Sequence, residues 1–367
     1  MKLFSPCRLG ALDLQNRIVM APMTRSRAGG NLPNTLMAEY YGQRAGAGLI
    51  LTEGTSPSPN GLGYARIPGI SSPEQTAAWQ LVTAAVHARG GRIFIQLMHV
   101  GRVGCILNLP PGAELVAPSP LALGGTIWTD SQGEQPHDLP REMTLADIRF
   151  AIAEYVRAAH NAVAAGFDGV EIHGANGYLI TQFLDPGSNL RNDGYGGDAV
   201  RRNRFAIELA TAVAAAIGQE RVGIRLSPCG VFNEMSGSYA GIAEQYSMLA
   251  GELGKLGLVY VHLVDHSAMG APKPDATTVR AICREFRSSG GTAVILSGGY
   301  DRERAEADLQ SGAADLVAFG RPFIANPDLV ERLKAGKPLT EADQETFYSP
   351  GPAGYTDYPV MEPVKGE

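Results

Sequence analysis

Short, almost continuously apolar segments recur along the chain, and most are separated by longer segments whose apolar residues have helical spacing. The apolar segments lie at residues 18–23, 49–52, 92–97, 169–173, 222–226, 259–264, 293–299 and 316–320. The candidate helices lie at residues 73–89, 145–165, 202–217, 241–255, 275–288 and 302–312. Apolar strands that alternate with helices are typical of a parallel sheet covered by helices. The pattern therefore predicts an α/β fold, a closed (β/α)8 TIM barrel.

A doubly wound open sheet is the alternative fold, but no G-x-G-x-x-G motif opens a helix after the first strand. Two segments interrupt the alternation. Residues 1–16 are predicted to form a short hairpin at the floor of the barrel. Residues 102–143, rich in Pro, Gly and Ser, form an excursion after the third strand, and we expect this excursion to cap a pocket at the C-terminal face. No linker is apparent, so residues 1–367 are predicted to form one domain.

Composition narrows the classes of function. The chain has 367 residues, of which 44% are hydrophobic, and a formal net charge of -6, which disfavours nucleic acid or an anionic membrane as a partner. No apolar run has transmembrane length, and the N-terminal segment lacks the apolar core of a signal peptide. Cys7, Cys105, Cys229 and Cys283 are scattered, so neither a disulfide framework nor a metal cluster is predicted. We expect a soluble, cytoplasmic monomer or homodimer.

A dense group of polar side chains follows the fourth predicted strand, in the stretch EIHGANGYLITQFLDPGSNLRNDGYGG at residues 171–197. If a helix begins soon after this strand, His173 and Asn176, three positions apart, face the same way. A neutral His and an Asn can both donate hydrogen bonds to one oxygen, which suits a carbonyl that gains negative charge. Tyr178 is a proton donor beside them. A structural histidine followed by an ordered turn is the alternative.

Glycines and a cation follow the last two predicted strands. Gly298 and Gly299 come after the seventh strand, and Gly320 and Arg321 after the eighth. Bare backbone N–H groups and a guanidinium at these positions are typical of a phosphate site in a barrel. For either motif alone a tight turn is the favoured explanation, but together they favour a phosphate-bearing ligand.

Other strand ends carry groups suited to a flat heterocycle. Thr24 and Gln96 could hydrogen-bond its edge, and Arg225 could neutralise electron density on it. The alternative for Arg225 is an ion pair with a carboxylate such as Glu53 or Glu171.

Histidines and aromatic residues complete the candidates. His262 and His266 lie in or just after a strand, so no metal site is expected there. The aromatic residues of the C-terminal segment could pack over a cofactor, with ordinary packing as the alternative. They are Phe347, Tyr348, Tyr355 and Tyr358.

Six motifs in sequence order resemble the Old Yellow Enzyme family of FMN-dependent ene-reductases, nearly end to end. They are NRIVMAPMTRSRA at 16–28, QLMHVGR at 96–102, HGANGYLITQFLDPGSNLRNDGYGG at 173–197, GIRLSP at 223–228, GRPFIANPDL at 320–329 and FYSPGPAGYTDYP at 347–359. The resemblance implies a barrel with FMN bound tightly but non-covalently over the strand ends. NADPH or NADH would reduce the FMN, and an activated alkene would reoxidise it.

The resemblance also implies roles for single residues. Pro22, Met23 and Thr24 resemble flavin-ring contacts, Gly54 a backbone contact, Gln96 and Arg225 pyrimidine contacts, and Gly299, Gly320 and Arg321 a phosphate cradle. His173 and Asn176 resemble the pair that binds the substrate oxygen, Tyr178 the proton donor, and Tyr64 and Tyr348 the pocket walls.

Two positions bear on subfamily and substrate range. Thr24 is similar to the branch that carries Thr, and not Cys, near the flavin. Met98 stands where many relatives have a large aromatic residue, which should alter the shape of the pocket. Relatives with an iron–sulfur cluster are excluded by the absence of a Cys cluster.

The implied reaction is hydride transfer to the β-carbon of an enone, enal, maleimide or nitroalkene, with proton transfer from Tyr178 to the α-carbon. Nitroesters and quinones are further candidates. A flavin-dependent dihydrouridine synthase acting on RNA is one alternative, but the negative net charge of the chain disfavours it. A lyase without flavin is another, disfavoured because no Lys ends a barrel strand. A flavin-binding protein without catalysis is a third.

Overall fold

The computed structural model of the chain describes residues 1–361, and its centre is a closed barrel of eight parallel strands. The strands in chain order are β1 (Cys7–Leu9), β2 (Leu12–Leu14), β3 (Ile18–Met20), β4 (Leu49–Thr55), β5 (Ile93–Leu97), β6 (Val116–Ala117), β7 (Thr126–Thr129), β8 (Gly133–Pro136), β9 (Arg141–Glu142), β10 (Gly169–Gly174), β11 (Val222–Leu226), β12 (Tyr260–Val264), β13 (Ala293–Ser297) and β14 (Leu316–Phe319). Around the barrel the order is β3, β4, β5, β10, β11, β12, β13, β14, and β14 pairs with β3. The predicted (β/α)8 barrel is confirmed.

Helices follow most barrel strands. They are α1 (Thr35–Gln43), α2 (Pro73–His87), α3 (Leu145–Ala164), α4 (Leu179–Leu184), α5 (Ala199–Ile217), α6 (Ile242–Lys255), α7 (Ala276–Ser288), α8 (Arg302–Ser311), α9 (Arg321–Ala325) and α10 (Leu329–Ala335). The six predicted helices are present within a few residues of their expected bounds. Helices α1, α9 and α10 were not predicted, and α4 was considered only as a helix that could begin soon after the fourth barrel strand. The side chain of Asn34 caps α1 by accepting a hydrogen bond from the N–H of Met37.

The floor of the barrel is closed by the hairpin of β1 and β2. Leu9 and Leu14 of this hairpin belong to one buried cluster with lumen residues such as Val19, Phe94 and Tyr260. These apolar side chains fill the lower lumen, so the predicted floor hairpin is confirmed. A larger cluster packs the outer face of the strands against the helices.

Above this apolar layer, the lumen-facing residues become polar. Strand register places Glu171 opposite Gln96, and Arg225 opposite both His173 and His262. Because the strands are parallel, these side chains lie near the same end of the barrel. The layer is thus formed by neighbouring strands and not by neighbouring residues in sequence.

The excursion at residues 102–143 carries four short strands. β6 pairs with β9, and β7 pairs with β8 as an antiparallel hairpin. Thr126, Ile127 and Trp128 of this hairpin line the cavity at the barrel mouth, so the predicted cap is confirmed. The assignment of the whole chain to one domain stays a prediction. Among residues 1–361, none of the helices has the length and apolar character needed to span a bilayer.

Candidate active site

Sixteen residues predicted to contact cofactor or substrate line one cavity of about 1640 Å³ at the C-terminal ends of the barrel strands. These residues are Pro22, Met23, Thr24, Gly54, Tyr64, Gln96, Met98, His173, Asn176, Tyr178, Arg225, Gly298, Gly299, Gly320, Arg321 and Tyr348. They come from nine parts of the chain that the barrel brings together. A single large cavity with convergent polar groups is typical of an active site.

His173 lies on β10 and is buried. Its Nδ1 accepts a hydrogen bond from the backbone N–H of Ala175 at 3.3 Å. Burial holds the pKa of His173 well below its usual value, and the charge of Arg225 lowers this pKa further. The ring is therefore neutral at pH 7, with its proton on Nε2. Because Nδ1 is occupied, His173 offers the cavity an N–H donor.

Asn176 reaches the cavity by a different route from the one predicted. Helix α4 begins only at Leu179, and Asn176 has a left-handed backbone with φ of +63°. Helical spacing from His173 was therefore the wrong reason for their convergence. The N–H of Asn176 donates to Ser227 Oγ at 2.9 Å, and its carbonyl accepts from Asn233 Nδ2 at 2.7 Å. Within residues 1–361, its buried Oδ1 has no partner, so the carboxamide is available to a ligand.

Tyr178 stands between His173 and Tyr64. The ring centroids of His173 and Tyr178 lie 4.9 Å apart at an angle of 74°. The hydroxyls of Tyr178 and Tyr64 lie 3.2 Å apart and share a hydrogen bond. Burial raises the pKa of Tyr178, while the hydrogen bond with Tyr64 opposes this rise. The phenol is protonated at neutral pH.

Two glycines and an arginine form one end of the cavity. Gly298 and Gly299 have φ of +118° and +61°, which residues with a side chain rarely adopt, and a Cβ on Gly298 would collide with the backbone of Asp265. Bare backbone is therefore required here. Arg321 opens α9 and makes no hydrogen bond or ion pair with residues 1–361.

Gln96 and Arg225 lie in the polar layer of the lumen. Gln96 Nε2 donates to Glu171 Oε1 at 2.8 Å. Burial lowers the pKa of Arg225, and the carboxylate of Glu171 opposes this shift. Among the described residues, Arg225 forms no ion pair with Glu171 or Glu53, and its buried Nε has no partner. The ion-pair alternative for Arg225 is therefore wrong.

The aromatic C-terminal segment divides into two parts. Phe347 and Tyr348 line the cavity. Tyr355 instead stacks on Tyr40 with ring centroids 4.0 Å apart, and the Tyr358 hydroxyl accepts the N–H of Asp343. The prediction that Tyr355 and Tyr358 pack over a cofactor is therefore wrong. No group of three or more potential metal ligands occurs in residues 1–361.

Comparison with known proteins identifies the family. The model of the NADH:flavin oxidoreductase / NADH oxidase family matches residues 2–340. The chain belongs to this family, that of the Old Yellow Enzymes. It is 44% identical over 367 residues to chanoclavine-I aldehyde reductase of Penicillium roqueforti (strain FM164), covering 97% of this chain and 96% of that protein.

Solved structures of Old Yellow Enzyme relatives have the same fold. Morphinone reductase in complex with tetrahydroNAD superposes with a TM-score of 0.93 at 42% identity, covering 100% of this chain and 99% of that one. The Old Yellow Enzyme homologue from Zymomonas mobilis gives 0.92 at 40% identity, covering 98% and 100%. The protein is therefore an NAD(P)H-dependent flavin oxidoreductase of the FMN-using type.

The cavity fits the FMN that the family implies. A guanidinium that has no partner among residues 1–361 and bare glycine backbone suit a phosphate at one end. The buried Nε of Arg225, which has no partner within residues 1–361, suits the polar edge of a flat ring deeper in the barrel. Both cations line the same cavity, so one ligand with an anionic tail and a polar ring edge satisfies them together.

Some residues of the site were missed by sequence reasoning. Ser227 and Asn233 fix the backbone of Asn176, and Arg66 and Trp128 line the cavity. Ser227 directly follows β11, whereas the others lie in loops or short elements outside the barrel strands. The local pattern of apolar residues does not show how close such segments come to the cavity. The motif GIRLSP pointed to the position of Ser227 without indicating its contact.

Proposed function

We propose that the protein is an ene-reductase that takes hydride from NADPH or NADH and delivers it to the β-carbon of an activated alkene. The observation that carries this proposal is a single cavity that holds the free Nε2 of His173, the uncommitted carboxamide of Asn176 and two cations that have no partner among residues 1–361. His173 and Asn176 suit a substrate oxygen, and the two cations, Arg225 and Arg321, suit FMN. Enones, enals, maleimides and nitroalkenes all carry such an oxygen; nitroesters and quinones are further candidates.

Tightly and non-covalently bound FMN supplies reversible hydride chemistry. In this proposal Arg321 and the backbone of Gly298, Gly299 and Gly320 hold its phosphate. Gln96 and Arg225 bind the pyrimidine edge of the ring. The remaining ring contacts come from Pro22, Met23, Thr24 and Gly54.

His173 and Asn176 would bind the carbonyl or nitro oxygen of the alkene. The Nε2–H of neutral His173 and the carboxamide N–H of Asn176, whose side chain makes no hydrogen bond with residues 1–361, can both donate to that oxygen. Donation to the oxygen draws electron density from the β-carbon, which favours hydride addition there. Removal of one such donor is expected to slow the reaction by about 10² to 10³.

Tyr178 would protonate the α-carbon. Its hydroxyl is buried in the cavity, and its pKa is raised by burial, so it carries a proton to donate. When Tyr178 has lost that proton, the neighbouring Tyr64 hydroxyl can turn and donate to the phenolate. The aromatic contact between Tyr178 and His173 holds both donors on one side of the cavity.

The walls of the pocket set the substrate range in this proposal. Tyr64, Met98 and Tyr348 line the cavity. Met98 lies against Gly54 so closely that a side chain at Gly54 would meet its sulfur. A flexible Met in place of a large aromatic ring leaves more room for bulky alkenes.

Morphinone reductase has been solved in complex with tetrahydroNAD, an analogue of the reductant, and this supports reduction by a nicotinamide dinucleotide here. The reductant and the alkene would occupy the same space in turn. Small molecules are the only partners that the proposal requires. A cytoplasmic monomer or homodimer stays a prediction.

An anaerobic titration tests the proposed function. Purified protein is titrated with NADPH or NADH while flavin absorbance is followed, and a panel of enones, enals, maleimides and nitroalkenes is then added. We expect bleaching by the dinucleotide and recovery of absorbance with at least one alkene class. Asn176→Ala should slow recovery, whereas Asn161→Ala on α3 serves as a control outside the cavity. Protein that binds no FMN, or reduced flavin that no alkene reoxidises, would contradict the proposal.

A further inference from the structure

Glu171 lies in the barrel lumen, two residues before His173 on β10, and its side chain is fully buried. Its Oε1 accepts a hydrogen bond from Gln96 Nε2 at 2.8 Å. Its Oε2 lies 2.9 Å from Nδ1 of His262, whose Nε2 lies 2.8 Å from Ser297 Oγ. Glu171, His262 and Ser297 therefore form a buried network that reaches the cavity at Ser297 and that the proposed reaction does not use directly.

The carboxylate decides how its neighbours are oriented. Burial lowers the pKa of His262 although Glu171 opposes that shift, so the imidazole is neutral. Because a carboxylate only accepts hydrogen bonds, His262 must carry its proton on Nδ1, and the Ser297 hydroxyl donates to Nε2. For the same reason Gln96 must turn its NH₂ group toward Glu171. The Oε1 and second N–H of Gln96 are then the groups left for a ligand.

The carboxylate also acts on Arg225. The guanidinium has no ion pair with residues 1–361, and Glu171 is the first acidic group that opposes the burial-driven fall in the pKa of Arg225. The two charges therefore interact through the lumen without direct contact. In an interior of low polarity, charges that do not touch still interact appreciably.

We propose that Glu171 is a positioning residue for bound FMN, which sets the carboxamide of Gln96 and lowers the tendency of the flavin to accept electrons. This inference rests on the proposed function. Hydride brings two electrons and one proton, so with Gln96 and Arg225 holding the pyrimidine edge of FMN, the negative charge gained on reduction would lie near these two residues. Arg225 favours that charge, and Glu171 opposes it. The opposing effects of these two charges determine how readily bound FMN would accept hydride from NAD(P)H and transfer it to the alkene.

The midpoint potential of the bound flavin tests this proposal in the holoenzyme. Glu171→Gln keeps the shape of the side chain and removes its charge. We expect the ratio of affinities for reduced and oxidised FMN to rise about tenfold, since an effective dielectric constant of about 20 leaves such an interaction significant. For a two-electron couple this is a positive shift of about 30 mV. Equilibration with a redox dye of known potential measures it.

Two further variants separate charge from geometry. Glu154→Gln on α3 also neutralises a buried carboxylate, but one that pairs with Arg157 outside the lumen, and it should leave the potential unchanged. Glu171→Asp keeps the charge but is one methylene shorter, so it cannot reach both Gln96 and His262. We expect its potential to match the wild type and its oxidised FMN to dissociate more readily.

The outcomes are distinct. The role of charge is overturned if the flavin of Glu171→Gln has the same midpoint potential as the wild type. It is also overturned if Glu171→Asp shows the same shift in potential as Glu171→Gln. If Glu171→Gln does not bind FMN, the test depends on Glu171→Asp. The proposal is then overturned if Glu171→Asp binds oxidised FMN with wild-type affinity. Wild-type protein that fails to bind FMN contradicts the proposed function itself. Wild-type protein that is reduced normally, with variants of unchanged potential, overturns this inference alone.

Discussion

Tyr178 is the residue whose loss should separate the two halves of the proposed cycle. Tyr178→Phe removes the proton donor but keeps the ring that packs on His173. We expect flavin reduction by NAD(P)H at the wild-type rate and alkene reduction slowed by about 10² to 10⁴. Stopped-flow absorbance resolves the two steps. Tyr195→Phe, which loses a contact with Glu208 away from the cavity, is the control. Equal slowing of both steps would argue against proton donation.

His99 should make the stability of the protein sensitive to acid. Burial lowers the pKa of His99 to about 3, whereas the unfolded chain has about 6.5. As pH falls below 6.5 the unfolded chain takes up the proton first, so stability is present above 6.5 and is lost toward pH 3. One such histidine changes the free energy of unfolding by about 2 kcal/mol between pH 6.5 and 5.

Urea denaturation at several pH values checks this expectation. His99→Asn should reduce the slope of unfolding free energy against pH because the asparagine side chain does not take up a proton in this range. The amide oxygen can still accept the Gly101 N–H that His99 Nδ1 accepts at 3.1 Å, so the local hydrogen bond is kept. His160→Asn at an exposed position should leave the slope unaltered. An identical slope in wild type and His99→Asn would show that His99 is not the titrating group.

At the level of single residues, the types of side chain at strand ends were predictable, and their orientations were not. His173 and Arg225 follow from the strand pattern because a strand end faces the cavity in any barrel. The left-handed backbone of Asn176 depends on Ser227 and Asn233, which are 51 and 57 residues away. Such long-range contacts leave no periodic signal in the sequence.

The β7–β8 hairpin is the element at which the mouth of the cavity should respond to a single change. Arg66 pairs with Asp130 at the turn of this hairpin and donates to the backbone of Ser26 and Tyr348. Asp130→Asn should weaken the link and speed amide exchange in residues 126–136. The free energy of unfolding should change by less than about 1 kcal/mol, because the pair is partly exposed.

Hydrogen exchange followed by mass spectrometry measures the hairpin directly. Glu114→Gln is a matched control, since it removes an exposed contact of Arg141 elsewhere in the excursion. Unchanged exchange at residues 126–136 in Asp130→Asn would mean that packing of Trp128, and not the ion pair, holds the hairpin.

Elements differ in how far the sequence predicts them. The eight barrel strands were predicted because both faces of each are buried, which leaves continuous apolar runs. Helix α1 was missed because it has only nine residues, including Gly42 and aromatic residues that do not favour helix. Helix α9 was missed because Gly320, Arg321 and Pro322 are typical of a turn.

At the scale of the whole molecule, Arg27 joins the start of the barrel to the end of the described chain. Its buried guanidinium donates to the carbonyls of Thr346, Phe347 and Ala353 at 2.7–2.9 Å. Arg27→Met should leave these acceptors without donors and destabilise the protein by about 3 kcal/mol. Because Phe347 and Tyr348 line the cavity, the KM for the alkene should rise as well.

Denaturation and limited proteolysis test this connection. We expect new cleavage within residues 344–358 of Arg27→Met and none in Arg204→Met, whose side chain is exposed on α5. Resistance of Arg27→Met to proteolysis would show that stacking of Tyr355 on Tyr40 is sufficient to hold the segment.

The hairpin at the barrel floor has a kinetic consequence. Since Leu9 and Leu14 fill the lower lumen, both reactants approach the ring of polar side chains from the same end. In the proposed cycle dinucleotide and alkene compete for one space, so an excess of either should inhibit turnover by the other. Initial velocities measured over a grid of both concentrations would give parallel double-reciprocal lines that bend upward where one reactant is in large excess.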